Sequence, residues 1–164
     1  MVRSFTKGSP MSRQTITAPS PHVIDAAHSY AAGAPTGSVL VLLRVENLVL
    51  AISAVLAFRA LGGGWGLFAV LLLLPDLAML GYLAGSSMGA RCYNLVHTYV
   101  APALLAAVIT VLGPVLGWMT DHTVWLEVAL IWCAHIGVDR ALGFGLKYPS
   151  GFSDTHLGRL RRRG

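Results

Sequence analysis

Charged residues are scarce in this chain, and cysteines are scarcer still. Only 12% of its 164 residues are charged, against 55% that are hydrophobic, a balance too apolar for an ordinary soluble domain. Two cysteines make no disulfide framework, so we expect both as reduced thiols. A phosphate-binding glycine loop, a nucleophile elbow and zinc-ribbon spacing are also missing. These absences argue against the common soluble enzyme classes and favour a membrane protein.

Long apolar runs are present instead. Windows of about 20 mostly apolar residues, the length that crosses a bilayer, occupy residues 39–60, 64–85, 93–116 and 123–143. They predict an all-α integral membrane four-helix bundle over residues 39–146. Lys and Arg concentrate before the first window and after the last, so the positive-inside rule predicts a multi-pass protein of the cell membrane with both termini cytoplasmic.

The two ends of the chain differ from the predicted bundle. Residues 1–38 lack the apolar core of a secretory signal and are rich in Ser, Thr, Pro and Ala, so we expect a disordered arm, with Met1 or Met11 as the start. Residues 147–164 form a basic tail that attracts anionic lipid headgroups. No DNA-binding fold surrounds these arginines, so a nucleic-acid partner is not expected.

Five of the ionisable residues inside the predicted spans are carboxylates or imidazoles near the cytoplasmic side, and inside a span a charge costs several kcal/mol unless it pairs, meets water or does chemistry. Counted along each helix from the cytoplasmic boundary, all five lie within about 5 to 15 Å of it. They therefore predict one polar site, and they are our catalytic candidates: Glu46, Asp76, His97, His135 and Asp139. Arg44, near one end of its span, is interpreted as a counter-charge or as a residue that reaches the membrane surface.

Each candidate has an expected role. Asp76 or Glu46, kept neutral by burial, would donate a proton, and His135 paired with Asp139 one helical turn later would remove one. His97 would orient the substrate. Other polar residues expected around the substrate are Asn47, Asn94, Tyr148 and Arg140. Tyr148 belongs to a glycine-containing stretch after the last span, which we expect to fold back beneath the bundle.

Several short runs resemble a known family. They are Leu43–Asn47, Pro75–Tyr82, Tyr93–Tyr99 and His135–Pro149. Together they resemble a family of small bacterial four-helix membrane proteins known only as a domain of unknown function, over roughly residues 40–158. The resemblance implies the membrane fold and marks these polar residues as the family's signature, but it implies no activity.

The leading functional hypothesis is a membrane-embedded enzyme. It would isomerise or cyclise a lipophilic substrate, such as an isoprenoid or another lipid, by acid–base chemistry and without a cofactor. A divalent metal is the alternative at the same site, with His97, His135 and Asp139 as candidate ligands for zinc or iron. The absence of a Glu-x-x-His motif argues against this metal version.

Two other classes of function stay open. A small proton-coupled carrier would use the same polar residues and would need to form oligomers. Its contact would be a stripe of glycines, Gly81, Gly85 and Gly89, that recurs every fourth residue. A structural or accessory subunit would instead pair its buried charges, Glu46 with Arg140 and Asp139 with Arg44.

Overall fold

The computed structural model describes residues 33–116 and 122–160, which form four helical segments. Most of the predicted disordered arm, both possible start residues and the arginines at 161–163 lie outside the described residues. The helices are α1 Gly37–Ala60, α2 Trp65–Leu72, a 3-10 helix Leu74–Ala84, α3 Ser86–Val96, α4 Val100–Leu116 and α5 His122–Leu142. The 3-10 helix continues α2, and α4 follows α3 after a short break. Two-residue strands, β1 Asp154–Thr155 and β2 Gly158–Arg159, pair as an antiparallel hairpin.

Three helices of the described chain are long and apolar enough to cross a membrane: Gly37–Ala60, Trp65–Ala84 and Ser86–Val115. Large aliphatic side chains on them are exposed, including Leu56, Leu83 and Val115, as expected for helices that face lipid. Helix α5, predicted as a fourth span, is a helix, but it is not among the three that are long and apolar enough to cross a membrane. It carries Glu127, Asp139 and Arg140 within its length.

Helix α5 is the central helix and packs along α1 at close range. A Cβ atom on Gly137 would lie 2.7 Å from the Asn47 carbonyl oxygen and 2.9 Å from the Ala51 Cβ, so only glycine allows this approach. The Arg44 guanidinium lies against Gly143, where α5 has just ended. The start of α1 and the end of α5 therefore lie at the same end of the bundle.

Gly85 reverses the chain between the 3-10 helix and α3. Its φ of +108° is a conformation that side-chain-bearing residues rarely adopt. The 3-10 helix and α3 then pack tightly against each other. A Cβ on Gly81 would lie 2.9 Å from that of Cys92, and one on Gly89 would overlap the Tyr82 ring. Gly81, Gly85 and Gly89 were expected to form one stripe on a single helix, and this is wrong. Gly81 lies on the 3-10 helix and Gly89 on α3, and both serve contacts within the chain. Oligomerisation stays a prediction, but a glycine stripe no longer supports it.

Two prolines interrupt the regular α-helix near polar residues of the site. Pro75 lies at the start of the 3-10 helix, where residues three apart are aligned, so Asp76, Met79 and Tyr82 share one face. Pro102 has no N–H, and its ring clashes with the carbonyl four residues earlier. The helix accordingly breaks between Val96 and Val100. The third helical segment begins at Ser86, ahead of the predicted start at residue 93, and this break lies within it.

The C-terminal segment (residues 143–160) folds back onto the bundle, as the sequence predicted. The Asn94 side chain holds it, donating from Nδ2 to the Lys147 carbonyl oxygen at 2.8 Å and accepting from the Lys147 N–H at 2.7 Å. Lys147 also bridges Thr155 in antiparallel fashion. Phe152 packs edge-on against the Tyr82 ring, with ring centroids 5.3 Å apart. The segment thereby packs against Asn94 of α3 and Tyr82 of the 3-10 helix.

Candidate functional site

Four of the five catalytic candidates meet in one place, which we call the His–Asp cluster: Asp76, His97, His135 and Asp139. One nitrogen or oxygen atom from each lies within 4.8 Å of the others. The Nε2 atoms of His97 and His135 are 3.1 Å apart. Both lie 3.7 Å from Asp76 Oδ1. Asp139 Oδ2 is 3.6 Å from the His97 nitrogen and 3.9 Å from the His135 nitrogen.

The members of the cluster differ in exposure. His97 and His135 are buried, with 2% and 5% of their surface exposed. The Asp76 side chain is 41% exposed, against 19% for that of Asp139, so the expected burial of Asp76 is wrong. Asp76 is therefore the member that a molecule entering from outside meets first.

Tyr93 fixes the orientation of two members of the cluster. His97 Nδ1 lies 2.9 Å from the Tyr93 carbonyl oxygen, which can only accept, so Nδ1 carries the hydrogen and Nε2 faces the cluster. The Tyr93 hydroxyl donates to Asp139 Oδ2 at 2.8 Å. Its ring stacks on that of His97 at 3.6 Å. The sequence interpretation missed Tyr93, although its position one turn before His97 is a usable signal.

Lys147 brings a buried amine to the same region. It is 3% exposed, and its Nζ has no hydrogen-bond partner in the described chain. The rings of Phe152, Tyr93 and Phe144 surround this nitrogen at 4.2, 5.1 and 5.6 Å. Burial lowers the pKa of the Lys147 amine, while the Asp139 carboxylate opposes the shift. The sequence interpretation gave Lys147 no role because a glycine-rich segment has no helical periodicity to show which way its side chains point.

A cavity of about 200 Å³ separates the cluster from the C-terminal segment. We call it the polar cavity. Asp76 and Asp139 line one side of it, and Phe144, Lys147 and Phe152 line the other. Two carboxylates and an ammonium group therefore face a shared space that aromatic rings partly shield from solvent.

A larger cavity, of about 460 Å³, opens beside the cluster. We call it the apolar groove, and its lining residues are Leu71, Leu74, Pro75, Leu77, Ala78, Val96, Val128 and Trp132. On α5, Val128 and Trp132 precede His135 and Asp139 at spacings of four, three and four residues, which place all four on one helix face. The groove therefore runs along α5 toward the His–Asp cluster.

Glu46 is not brought into the cluster. It is exposed on α1, one residue before Asn47, whose carbonyl approaches α5. The charge pairs expected for a structural subunit, Glu46 with Arg140 and Asp139 with Arg44, are not among the ion pairs of the described residues. That pairing prediction is wrong.

Arg140 makes a different contact from the predicted ion pair. Its Nη2 donates to the His97 carbonyl oxygen at 3.2 Å. The guanidinium also lies over the Tyr99 ring, 4.7 Å from the ring centre. Arg140 therefore holds the break in the third helical segment from the side of α5.

Other residues expected to orient a substrate are engaged within the chain. Asn47 donates to the Leu43 carbonyl oxygen at 2.7 Å and accepts from the Tyr99 hydroxyl at 2.9 Å. Asn94 holds the backbone of Lys147 through both ends of its amide. Tyr148 lies half-buried in the C-terminal segment, where its N–H donates to the Asp154 carbonyl. Their contacts support the helices and the segment around the cluster.

Comparison with known proteins identifies a family without an assigned activity. No curated protein and no solved structure matches the chain. A family model described as a domain of unknown function, DUF4260, matches residues 40–160. The matched range includes all but the first three residues of the four helical segments, together with the His–Asp cluster and the C-terminal segment. The chain therefore belongs to the DUF4260 family.

Proposed function

We propose that this protein is a membrane-embedded enzyme that isomerises or cyclises a lipophilic substrate by acid–base catalysis. The observation that carries the proposal is that the apolar groove lies along the same face of α5 as His135 and Asp139, with Pro75 and Val96 in its lining directly before Asp76 and His97. A groove alone binds lipid, and a polar cluster alone can be internal support. A groove that leads along one helix face to two imidazoles and two carboxylates brings an apolar molecule to groups that transfer protons.

The apolar groove suits an acyl or isoprenoid chain. Its lining offers almost only hydrocarbon, apart from the indole of Trp132, whose N–H donates to the Val96 carbonyl oxygen at 2.6 Å. Leu74 and Leu77, at its edge, are more than half exposed, so a substrate can enter sideways from the bilayer. The apolar chain would lie in the groove and the reacting end would lie at the cluster.

The cluster has the parts for a proton transfer. Because His97 Nε2 carries a lone pair, the two imidazole nitrogens at 3.1 Å hold one proton between them. His135 would take a proton from a substrate carbon at Nδ1 while its Nε2–H proton passes to the lone pair of His97 Nε2. A neutral Asp76 would donate a proton at a second position, and the proton held by His97 would then return to Asp76. The proton taken and the proton given balance, so the product has the composition of the substrate. Glu46 takes no part in this version because it lies outside the cluster.

The proposed orientation has both termini in the cytoplasm. The excess of Lys and Arg at the two ends of the chain supports it. The start of α1 and the end of α5 lie at one end of the bundle, in agreement with this arrangement. The polar cavity then opens toward the cytoplasm and the apolar groove toward the lipid.

The test compares lipid extracts of cells that express the wild type, Asp76→Asn, His135→Ala or Glu46→Gln. Isomerisation or cyclisation changes the chromatographic retention of a compound without changing its mass. We expect such a mass-matched product with the wild type and with Glu46→Gln, and a loss of about 100-fold or more with the two cluster variants. In D2O the product should carry deuterium at the carbon that receives the proton.

Folding is checked by detergent-stable, monodisperse protein and an unchanged far-ultraviolet spectrum. A mass-matched product that forms equally with folded Asp76→Asn and His135→Ala would contradict the proposal. Uptake of a solute into liposomes that depends on both residues, without any new product, would assign the cluster to a proton-coupled carrier instead.

A further inference from the structure

We infer that the His–Asp cluster binds one divalent transition-metal ion of the zinc and iron class. The ligands are Nε2 of His97 and His135, Oδ1 of Asp76 and Oδ2 of Asp139. With an ion bound, His135 Nε2 and Asp76 Oδ1 are its ligands and do not exchange protons with the substrate, so the inference replaces the direct proton transfer described above by polarisation of the substrate by the ion. What the ion would do in a reaction rests on the proposed function, but the binding of the ion does not.

The spacing of the four atoms is the first argument. The imidazole nitrogens lie 3.6 to 3.9 Å from the carboxylate oxygens, which is too far for hydrogen bonds. The imidazoles therefore do not hydrogen-bond the carboxylates, and the hydrogen bond within the cluster is the one between the two imidazole nitrogens at 3.1 Å. The two imidazole nitrogens are 3.1 Å apart and all four atoms lie within 4.8 Å of one another, so an ion at the centre of the group lies about 2 to 2.5 Å from each, near the roughly 2.0 to 2.2 Å of zinc bonds to His and Asp.

The hydrogen bonds around the cluster are the second argument. Histidines that bind metals usually donate the other ring N–H to a carbonyl or a carboxylate, and ligating carboxylates are themselves hydrogen-bonded. Tyr93 supplies both contacts, with its carbonyl at His97 Nδ1 and its hydroxyl at Asp139 Oδ2. The histidine nitrogen and the carboxylate oxygen are thereby held facing the centre of the cluster.

The donor set selects the kind of ion. Two imidazoles disfavour magnesium and calcium, which take oxygen ligands, and two nitrogens with two oxygens suit zinc or iron. Two carboxylates balance the charge of a dication, which lowers its cost in an apolar surrounding. The partly exposed Asp76 leaves a side open toward the polar cavity. Such an ion would polarise an oxygen function at the polar end of the substrate, so the preferred substrate is a lipophilic carbonyl compound or alcohol.

The competing explanation is a proton shared by the two imidazoles with no ion present. A metal titration separates the two. The full chain, carrying an affinity tag without histidines, is purified in detergent and stripped with a chelator. It is then titrated with Zn²⁺, Co²⁺ and Mg²⁺. We expect one equivalent of Zn²⁺ or Co²⁺ per chain, strong visible absorption from four-coordinate Co²⁺, and no binding of Mg²⁺.

Variants connect the ion to the cluster. His135→Ala and Asp76→Asn should lose the four-coordinate Co²⁺ spectrum, while Glu46→Gln, which changes a carboxylate outside the cluster, should keep it. Tyr93→Phe keeps the ring and the backbone carbonyl but removes the hydroxyl bonded to Asp139. We expect a 10- to 100-fold weaker affinity for this variant, the usual effect of losing such a supporting contact. It keeps the test decisive if a ligand variant fails to fold.

The opposite results would overturn the inference. They are folded wild type that takes up no Zn²⁺, or Zn²⁺ bound equally by the wild type and by folded His135→Ala. Because binding is measured without substrate, the two proposals fail separately. Bound metal without a mass-matched product contradicts only the reaction, and product formation by metal-free protein contradicts only the metal centre.

Discussion

The two ends of the helical bundle are built on different principles. At the end where α1 turns into α2, the rings of Phe58, Trp65 and Phe68 pack against one another at centroid distances of 5.3 to 6.1 Å. Gly63 leaves room for the fully buried Phe58 ring. At the other end, the His–Asp cluster and the C-terminal segment are held by directed hydrogen bonds. Packing of aromatic side chains holds the first end together, and hydrogen bonds hold the second.

The difference shows where the fold tolerates unmet polar groups. In the described part of the chain, the buried side-chain polar atoms without a hydrogen-bond partner are Tyr82 Oη, Arg140 Nε and Lys147 Nζ. All three lie at the polar end, and each such group costs about 1 to 3 kcal/mol. The following changes test that separation, starting with the largest expected effect.

Phe58→Ala should destabilise the helices most, by about 3 to 5 kcal/mol, because it empties a fully buried aromatic site. Unfolding of the detergent-solubilised protein measures the loss, and Phe58→Leu, which keeps most of the volume, should lose less. Hydrogen exchange in the C-terminal segment should stay unchanged below the unfolding transition. An equal increase in hydrogen exchange at both ends of the bundle would show that the two ends are not energetically independent.

Asn94→Ala should release the C-terminal segment and leave the helices folded. It removes the two bonds to the Lys147 backbone, together about 1 to 3 kcal/mol of docking free energy. Hydrogen–deuterium exchange and protease cleavage within residues 143–160 should both increase. Asn94→Asp, which keeps the acceptor and loses the donor, should have an intermediate effect. Exchange identical to that of the wild type would mean that other contacts hold the segment.

The smallest effect expected is a pH dependence from Lys147. Burial lowers the pKa of its amine below the ordinary value of 10.5, so the unfolded chain binds more protons between the lowered and the ordinary pKa. Stability should therefore rise with pH across that window. In Lys147→Met this contribution should vanish, and the difference in thermal midpoint between wild type and variant against pH measures it. A difference that favours the wild type less as the pH rises would contradict the assigned direction.

The sequence was sufficient to name all four members of the His–Asp cluster as candidates. Asp76, His97, His135 and Asp139 each interrupt an apolar run, and the cost of such interruptions makes them visible without a structure. Glu46 also interrupts an apolar run, yet it lies outside the His–Asp cluster. The rotation of α1 about its axis is set by the contact of Gly137 with Asn47 and Ala51, which is remote in sequence. Asn47 faces α5, so its neighbour Glu46 points elsewhere.

The path of the chain around the cluster was harder to predict. Glycines four residues apart are the pattern of a helix that packs through one face, but the positive φ of Gly85 breaks that pattern. Nothing in the spacing alone separates the two outcomes. The aligned faces of the 3-10 helix likewise arise only after Pro75 ends the regular α-helical turn.

The amide of Asn94 holds position 147 by its backbone N–H and carbonyl alone. The side chain at this position is therefore independent of the bonds that dock the segment, while it still projects into the polar cavity. Position 147 is thus a natural place for protein engineering. Side chains of similar size but different charge, such as Met or Gln, can be exchanged there to change the chemistry of the cavity while the backbone bonds to Asn94 stay in place.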